Sequence, residues 1–147
     1  MTTFVGQATY KVDEKGRIPI PPSFRSALQE GGFLTPGAEG CIAIYTKAKF
    51  EEIAQTLQTK GLAPAAQRKV QRNLFPKATE FKLDAQGRVM LPPELRQTAG
   101  IETSAIVIGV NESAEIWNPE RLKAFEQDQS SVWDVIESLQ KPRGQQE

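Results

Sequence analysis

The 147-residue chain contains no histidine. That removes the commonest general base near neutral pH and the commonest metal ligand together. No Ser/His/Asp or Cys/His arrangement can be assembled, and no Walker or dinucleotide-binding glycine pattern is present. Catalysis would have to run on carboxylates and lysines alone, so no enzyme, no metal and no cofactor is expected. Cysteine is nearly absent too. The single Cys41 rules out an internal disulfide, and its setting in the apolar run "CIAIY" marks a buried structural thiol rather than a nucleophile. No apolar run approaches the ~20 residues that span a bilayer. The opening "MTTFVGQATYK" lacks the basic-then-apolar pattern of a signal peptide. A cytoplasmic protein without a membrane partner is the expectation.

Net charge is absent as well, with 18 basic and 18 acidic residues. The neutrality hides an asymmetry. Residues 1–100 carry 14 Lys and Arg against 9 Asp and Glu, while residues 101–147 carry 4 against 9. The stretch 60–88 holds 7 basic residues with only Glu80 and Asp84 as acids. A basic front and an acidic back suit a protein that meets a polyanion with one face, although a solvated helix face gives the same count.

What the chain does have is one unusual phrase written twice. "VDEKGRIPIPPSFR" at 12–25 and "LDAQGRVMLPPELR" at 83–96 align without gaps, 71 residues apart. They share Asp13/Asp84, Gly16/Gly87, Arg17/Arg88, Pro21/Pro92, Pro22/Pro93 and Arg25/Arg96. Val12/Leu83, Ile18/Val89, Ile20/Leu91 and Phe24/Leu95 agree in kind. Each copy runs from a β-rich segment ("FVGQATYKV", "TEFKL") through a tight D-x-x-G-R to a short apolar run. A helix opening on proline follows, and in the second copy it stops at Gly100. Farther on, "IAIYTKAKFEEI" at 42–53 matches "AEIWNPERLKAF" at 114–125, now 72 residues apart. Each reads as a strand, an N-cap at Thr46 or Asn118, and a helix. "AIVIGV" at 105–110 is a further strand that turns at "NES". "PAAQRKVQRNL" at 64–74 is a basic helix between the copies. A last helix is expected over Val132–Leu139, stopped by Pro142 and followed by a polar end.

One such unit is too small to offset its own ordering entropy, so two copies are expected to interlock their hairpins around a shared core and a pseudo-two-fold axis. A shared core explains the matched apolar residues. It does not explain the matched loops. One reading is a hairpin clip: Asp13 bridges to Arg17 and Asp84 to Arg88 across loops that Gly16 and Gly87 close with positive φ. The other reading starts from the arginine fork, which can donate two parallel bonds to guanine in the major groove of a DNA duplex, where an antiparallel ribbon fits. Asp13 and Asp84 then orient the fork or accept from a base. Lys15 meets phosphate, its counterpart Gln86 reads adenine or bonds phosphate, and Lys11 and Lys82 are candidate phosphate contacts. Arg25 and Arg96, one helical turn past the proline pair, are expected to clamp a carboxylate of the other copy rather than DNA. Trp117 and Trp133 are expected as core or interface anchors.

On "VDEKGRIPIPPSFR", "LDAQGRVMLPPELRQTAGI", "VIGV" and "EIWNPERL", the chain resembles the MraZ family of bacterial transcription regulators over roughly residues 4–127. The resemblance implies an α+β, β-rich fold. Two internally repeated swapped-hairpin (AbrB-like) β-barrel units would form an intrachain pseudo-dimer with short flanking helices. It places a first repeat at 1–59, a basic helical connector at 60–76, a second repeat at 77–127, and a helical extension with a polar tail at 128–147. It also implies ring-shaped homo-oligomers, and binding of double-stranded DNA with short repeats upstream of the protein's own gene. Repression of a division and cell-wall gene cluster and association with the nucleoid follow from the same likeness. The family's D-x-x-x-R positions fall on Asp13, Arg17, Asp84 and Arg88. Two other classes compete. One is an AbrB-like antitoxin or ring scaffold whose partner is a protein, suggested by the acidic last third. The other is a carboxylate enzyme using Asp13 and Asp84.

Overall fold

The computed structural model describes residues 3–126 and 131–140. Strands β1 (Gln7–Lys11) and β2 (Arg17–Pro19) flank the first D-x-x-G-R, and helix α1 (Pro22–Arg25) follows. Then come β3 (Gly32–Pro36), β4 (Ile42–Thr46), α2 (Lys47–Thr59) and α3 (Pro64–Asn73). The second copy repeats the order: β5 (Thr79–Phe81), β6 (Arg88–Met90), α4 (Pro93–Thr98), β7 (Ser104–Gly109), β8 (Ala114–Trp117), α5 (Pro119–Phe125) and α6 (Val132–Gln140).

The local signals act where the sequence puts them. Pro22 and Pro93 occupy the first turns of α1 and α4, where a missing N–H costs nothing. The Thr46 side chain accepts from the Lys49 amide at 3.0 Å to cap α2. Asn118 accepts from the Glu120 and Arg121 amides to cap α5. Asn111 takes the positive φ of the β7–β8 turn. Pro142 and the polar end lie outside the described residues.

The main sheet is fully antiparallel in the order β1-β7-β8-β4-β3-β5. Read from its centre, where β4 pairs with β8, the order is the same in both directions. Each copy contributes one hairpin, β3–β4 or β7–β8. Each first strand crosses to the other copy, β1 onto β7 and β5 onto β3. A second, two-stranded ribbon pairs β2 with β6, again one strand from each copy.

Two expectations need correction. The barrel is not closed: β1 and β5 are the two edges of an open sheet, and the β2·β6 ribbon remains separate from it. Each ribbon strand is only three residues long and takes its ladder partner from the other ribbon strand, not from β1 or β5. Nor is either D-x-x-G-R the tip of a hairpin with paired arms. The Asp13 N–H donates to the Arg17 carbonyl at 2.9 Å, and the Asp84 N–H to Arg88 at 3.0 Å. Beyond that bond the arms part, because β1 and β2 both find their partners in the other copy.

The exchange produces one core. Ile18, Ile20, Phe24 and Leu28 pack in the same buried cluster as Val89, Leu91, Leu95 and Ala99, their counterparts 71 residues on. Phe4 seals it edge-on against Phe24, with ring centroids 5.2 Å apart. Burying each large aliphatic side chain contributes roughly 1.5–3 kcal/mol, and neither copy could supply this cluster alone. Cys41 is buried in a smaller cluster with Trp117, and burial pushes its thiol pKa up to about 12. Trp117 is the anchor expected of it, whereas Trp133 is 69% exposed and belongs to no core. Among the described residues no helix is long and apolar enough to cross a membrane.

Candidate nucleic-acid interface

The β2·β6 ribbon brings the two loops together. Arg17 stands opposite Met90, Ile18 opposite Val89 and Pro19 opposite Arg88. Side chains alternate across a strand, so Ile18 and Val89 point into the core. Arg17, Pro19, Arg88 and Met90 then share the outer face. The sequence shows two loops; the cross-copy register makes them neighbours.

The loops have nearly identical wiring. Asp13 Oδ1 accepts the Lys15 amide at 2.9 Å and the Arg17 amide at 2.8 Å, while Oδ2 accepts Arg17 Nε at 2.8 Å. Asp84 Oδ1 accepts the Gln86 and Arg88 amides, both at 2.9 Å, and its Oδ2 accepts Arg88 Nε at 2.9 Å. Gly16 and Gly87 close the turns at φ 82° and 77°, a region that side chains with a Cβ resist. Both aspartate pKa values lie below the usual 3.8, chiefly because the arginine amide bonds the charged form, with the arginine side chain adding to it.

This wiring realises the clip without exhausting the arginine. Each carboxylate spends three acceptor positions on its own loop. Each guanidinium gives its own aspartate only Nε, so its Nη donors are not used within its own loop. The aspartates therefore hold and aim the arginines. Lys11, Lys15, Lys82 and Gln86 are exposed around the pair. Lys11, Lys15, Arg17 and Arg88 line one shallow depression with Asp13 and Glu14. All the loop positions read from the sequence thus fall on two neighbouring turns. Asp13 and Asp84 are each engaged by two amides and by arginine, Asp84 by Arg88 and Asp13 by Arg17 with Arg88 close by, which leaves no free carboxylate pair for acid–base work. Among the described residues no cluster of three or more metal-ligating side chains occurs.

Arg25 and Arg96 differ from expectation. Among the described residues, neither binds a carboxylate of the other copy. Arg25 Nε donates to the Ile20 carbonyl at 2.9 Å, and Arg96 Nε to the Ile101 carbonyl at 3.0 Å; Arg96 Nη2 also donates to the Glu102 carbonyl. Backbone carbonyls beside the helices, just before α1 for Arg25 and just after α4 for Arg96, are the acceptors taken, and a sequence gives no sign of where they point.

A family model described as MraZ protein, antitoxin-like, matches residues 3–73 and again 74–138. Curated relatives are similar across most of the chain. A protein of Dehalococcoides mccartyi named transcriptional regulator MraZ is 40% identical over 93% of this chain and 98% of its own length. A protein of the same name from Thermomicrobium roseum is 40% identical over 82% of this chain and 85% of its own. One from Symbiobacterium thermophilum is 35% identical over 90% and 96%.

Proposed function

The chain belongs to the MraZ family, and on that premise we propose that it is a sequence-specific DNA-binding transcriptional regulator that reads short repeated elements with its two D-x-x-G-R loops. The observation that carries the reading is the β2·β6 ribbon, which sets Arg17 and Arg88 on one outer face with their Nε atoms held by Asp13 and Asp84. An aimed guanidinium loses less freedom on meeting a guanine edge than a free one. The ribbon has the width that the major groove admits. Gly16 and Gly87 shape the turns, Lys15 and Gln86 flank the arginines, and Lys11 and Lys82 approach phosphates.

In this reading the protein acts in the cytoplasm at the nucleoid. It represses transcription from repeats upstream of its own gene and assembles into a ring of identical chains. Self-assembly is supported by α6, whose Val132, Trp133, Val135 and Leu139 are all at least half exposed. The same helix carries Asp134 and Glu137, while α3 in the connector carries Arg68, Lys69 and Arg72. Two different patches on one chain meet head to tail, the contact type that closes into rings.

The test is a fluorescence-anisotropy titration at several salt concentrations. A duplex from just upstream of the protein's own gene is compared with a scrambled one, for wild type and for Arg17→Ala/Arg88→Ala. The expected result is preference for the upstream duplex, with each lost arginine removing about 1–3 kcal/mol of discrimination. Binding that ignores sequence and vanishes with salt reports generic phosphate attraction and overturns the reading.

A further inference from the structure

We infer that Arg25 and Arg96 are positioning residues that each brace the D-x-x-G-R loop of the opposite repeat, Arg25 beneath Gly87 and Arg96 beneath Gly16. The inference rests on the loop reading of DNA binding for its consequence, but not for its geometry.

Both loop glycines are buried although they sit in otherwise exposed turns. What covers them comes from the other copy. A Cβ built on Gly87 would lie 2.4 Å from Arg25 Nε and 2.6 Å from Cζ, so the Arg25 guanidinium occupies the space beside the bare Cα. A Cβ on Gly16 would meet Arg96 Nη1 at 3.3 Å. The arginines are themselves tied down. Arg25 Nε donates to the Ile20 carbonyl, and the Ile20 N–H donates to the Gly87 carbonyl at 2.9 Å. Residue 20 and its bonded arginine thus grip the second loop from two sides. In the other direction, the Leu91 N–H donates to the Gly16 carbonyl at 2.9 Å while Arg96 is fixed to the Ile101 and Glu102 carbonyls.

Glycine at these positions therefore serves two ends. It takes the left-handed φ, and it leaves room for a guanidinium from the other repeat. The brace also accounts for an arginine in both copies whose partners are carbonyls: Nε is bonded to a carbonyl while the rest of the guanidinium fills the space at the glycine, and lysine has neither that second donor position nor that planar group. Because each brace crosses between repeats, neither loop keeps its shape without the other repeat's helix. The bracing is unequal, tight at Gly87 and looser at Gly16.

The test is residue-resolved amide exchange on the full chain, read at the loop amides that the structure shows bonded. Arg25→Ala is expected to raise exchange of the Gly87 and Arg88 amides several-fold, leaving those of Gly16 and Arg17 and of Ile116 in the core strand β8 unchanged. Arg96→Ala is expected to do the reverse, with a smaller rise. Arg25→Lys keeps the charge and is expected not to restore protection; it carries the same comparison should Arg25→Ala fail to fold. An equal rise in both loops and in β8 would mean a general stability role and overturn the inference. No change in either loop would overturn it too, including when Arg25→Ala still weakens DNA binding with a shallower salt dependence, which is the mark of a direct phosphate contact. On the upstream duplex, double-mutant cycles are expected to couple Arg25 to Arg88 and Arg96 to Arg17, with the uncrossed pairs additive. A wild-type chain that shows no sequence-dependent binding would sink the functional reading, while the exchange experiment would still decide the brace.

Discussion

Arg88 Nη1 lies 3.5 Å from Asp13 Oδ2, although Arg88 already gives its Nε to its own Asp84 at 2.9 Å. The first loop's carboxylate therefore faces two guanidinium groups, and the second loop's faces one. Near-identical wiring within each loop is joined by a contact that runs in one direction only. The pseudo-two-fold axis is broken at the point where the proposed interface is densest.

That asymmetry separates the two aspartates. Asp13→Ala frees Arg17 and also strips Arg88 of its cross-loop contact while leaving it bonded to Asp84, whereas Asp84→Ala acts on Arg88 alone and leaves it one neighbouring carboxylate. The expected outcome is a several-fold larger loss of operator affinity for Asp13→Ala, read by anisotropy at fixed salt. Equal losses would show that the cross-loop contact has no part in aiming Arg88.

Acid should release the loops in a definite window. The folded-state pKa of Asp13 and Asp84 lies below the usual 3.8, so the ordering they supply is complete above that value. It is lost only as pH falls through the lowered folded-state values. Amide chemical shifts of Lys15, Arg17, Gln86 and Arg88 are expected to hold from neutral pH to about 4 and to move below it. A transition centred near pH 6 would contradict the hydrogen-bonded carboxylates.

The glycines give a third separation. Replacing either by alanine forces a Cβ into left-handed backbone at roughly 1–2 kcal/mol. For Gly16→Ala the nearest atom is 3.3 Å away, so this strain is the main cost. A chain of this size loses about 2–4 °C of Tm per kcal/mol, which gives a drop of about 2–8 °C. Gly87→Ala also meets Arg25 at 2.4 Å and is expected to lower Tm further. Calorimetry on the two variants checks the order, and equal drops would place the Arg25 side chain elsewhere.

Much of this was legible in the repeat. The proline-led helices, the Thr46 and Asn118 caps and the shared core follow from matched residues with known local preferences. Ile18/Val89 and Phe24/Leu95 could be named as core because both members changed only among apolar types. What the repeat could not show is which strand pairs with which. A constant offset is equally consistent with β1 pairing within its own copy or across to β7, since both choices satisfy the same backbone groups. The open sheet edges escaped for that reason, as did the parting of the loop arms. The carbonyl partners of Arg25 and Arg96 escaped for another: an acceptor present in every residue leaves no mark in a sequence. Trp133 misled in part, because a tryptophan on an amphipathic helix reads alike whether its partner lies in its own chain or in another.

α6 exposes Trp133 at 69% and Leu139 at 79%, beside the acids Asp134 and Glu137. α3 offers Arg68, Lys69 and Arg72 with no acid in its ten residues. If these helices meet between neighbouring copies, reversing either side alone should place like charges together and lower the assembled mass. Asp134→Arg/Glu137→Arg and Arg68→Glu/Arg72→Glu are each expected to shrink the assembly by light scattering. All four changes in one chain restore opposite charges at the same places, so the mass should return. Restoration separates a specific contact from mere loss of solubility, because a surface that only needed its net charge would gain nothing from the exchange. Raising the salt should weaken wild type and the fully exchanged chain alike, since exposed pairs are screened over about 8 Å at physiological ionic strength. Unchanged mass in both single-sided variants would assign assembly to another surface.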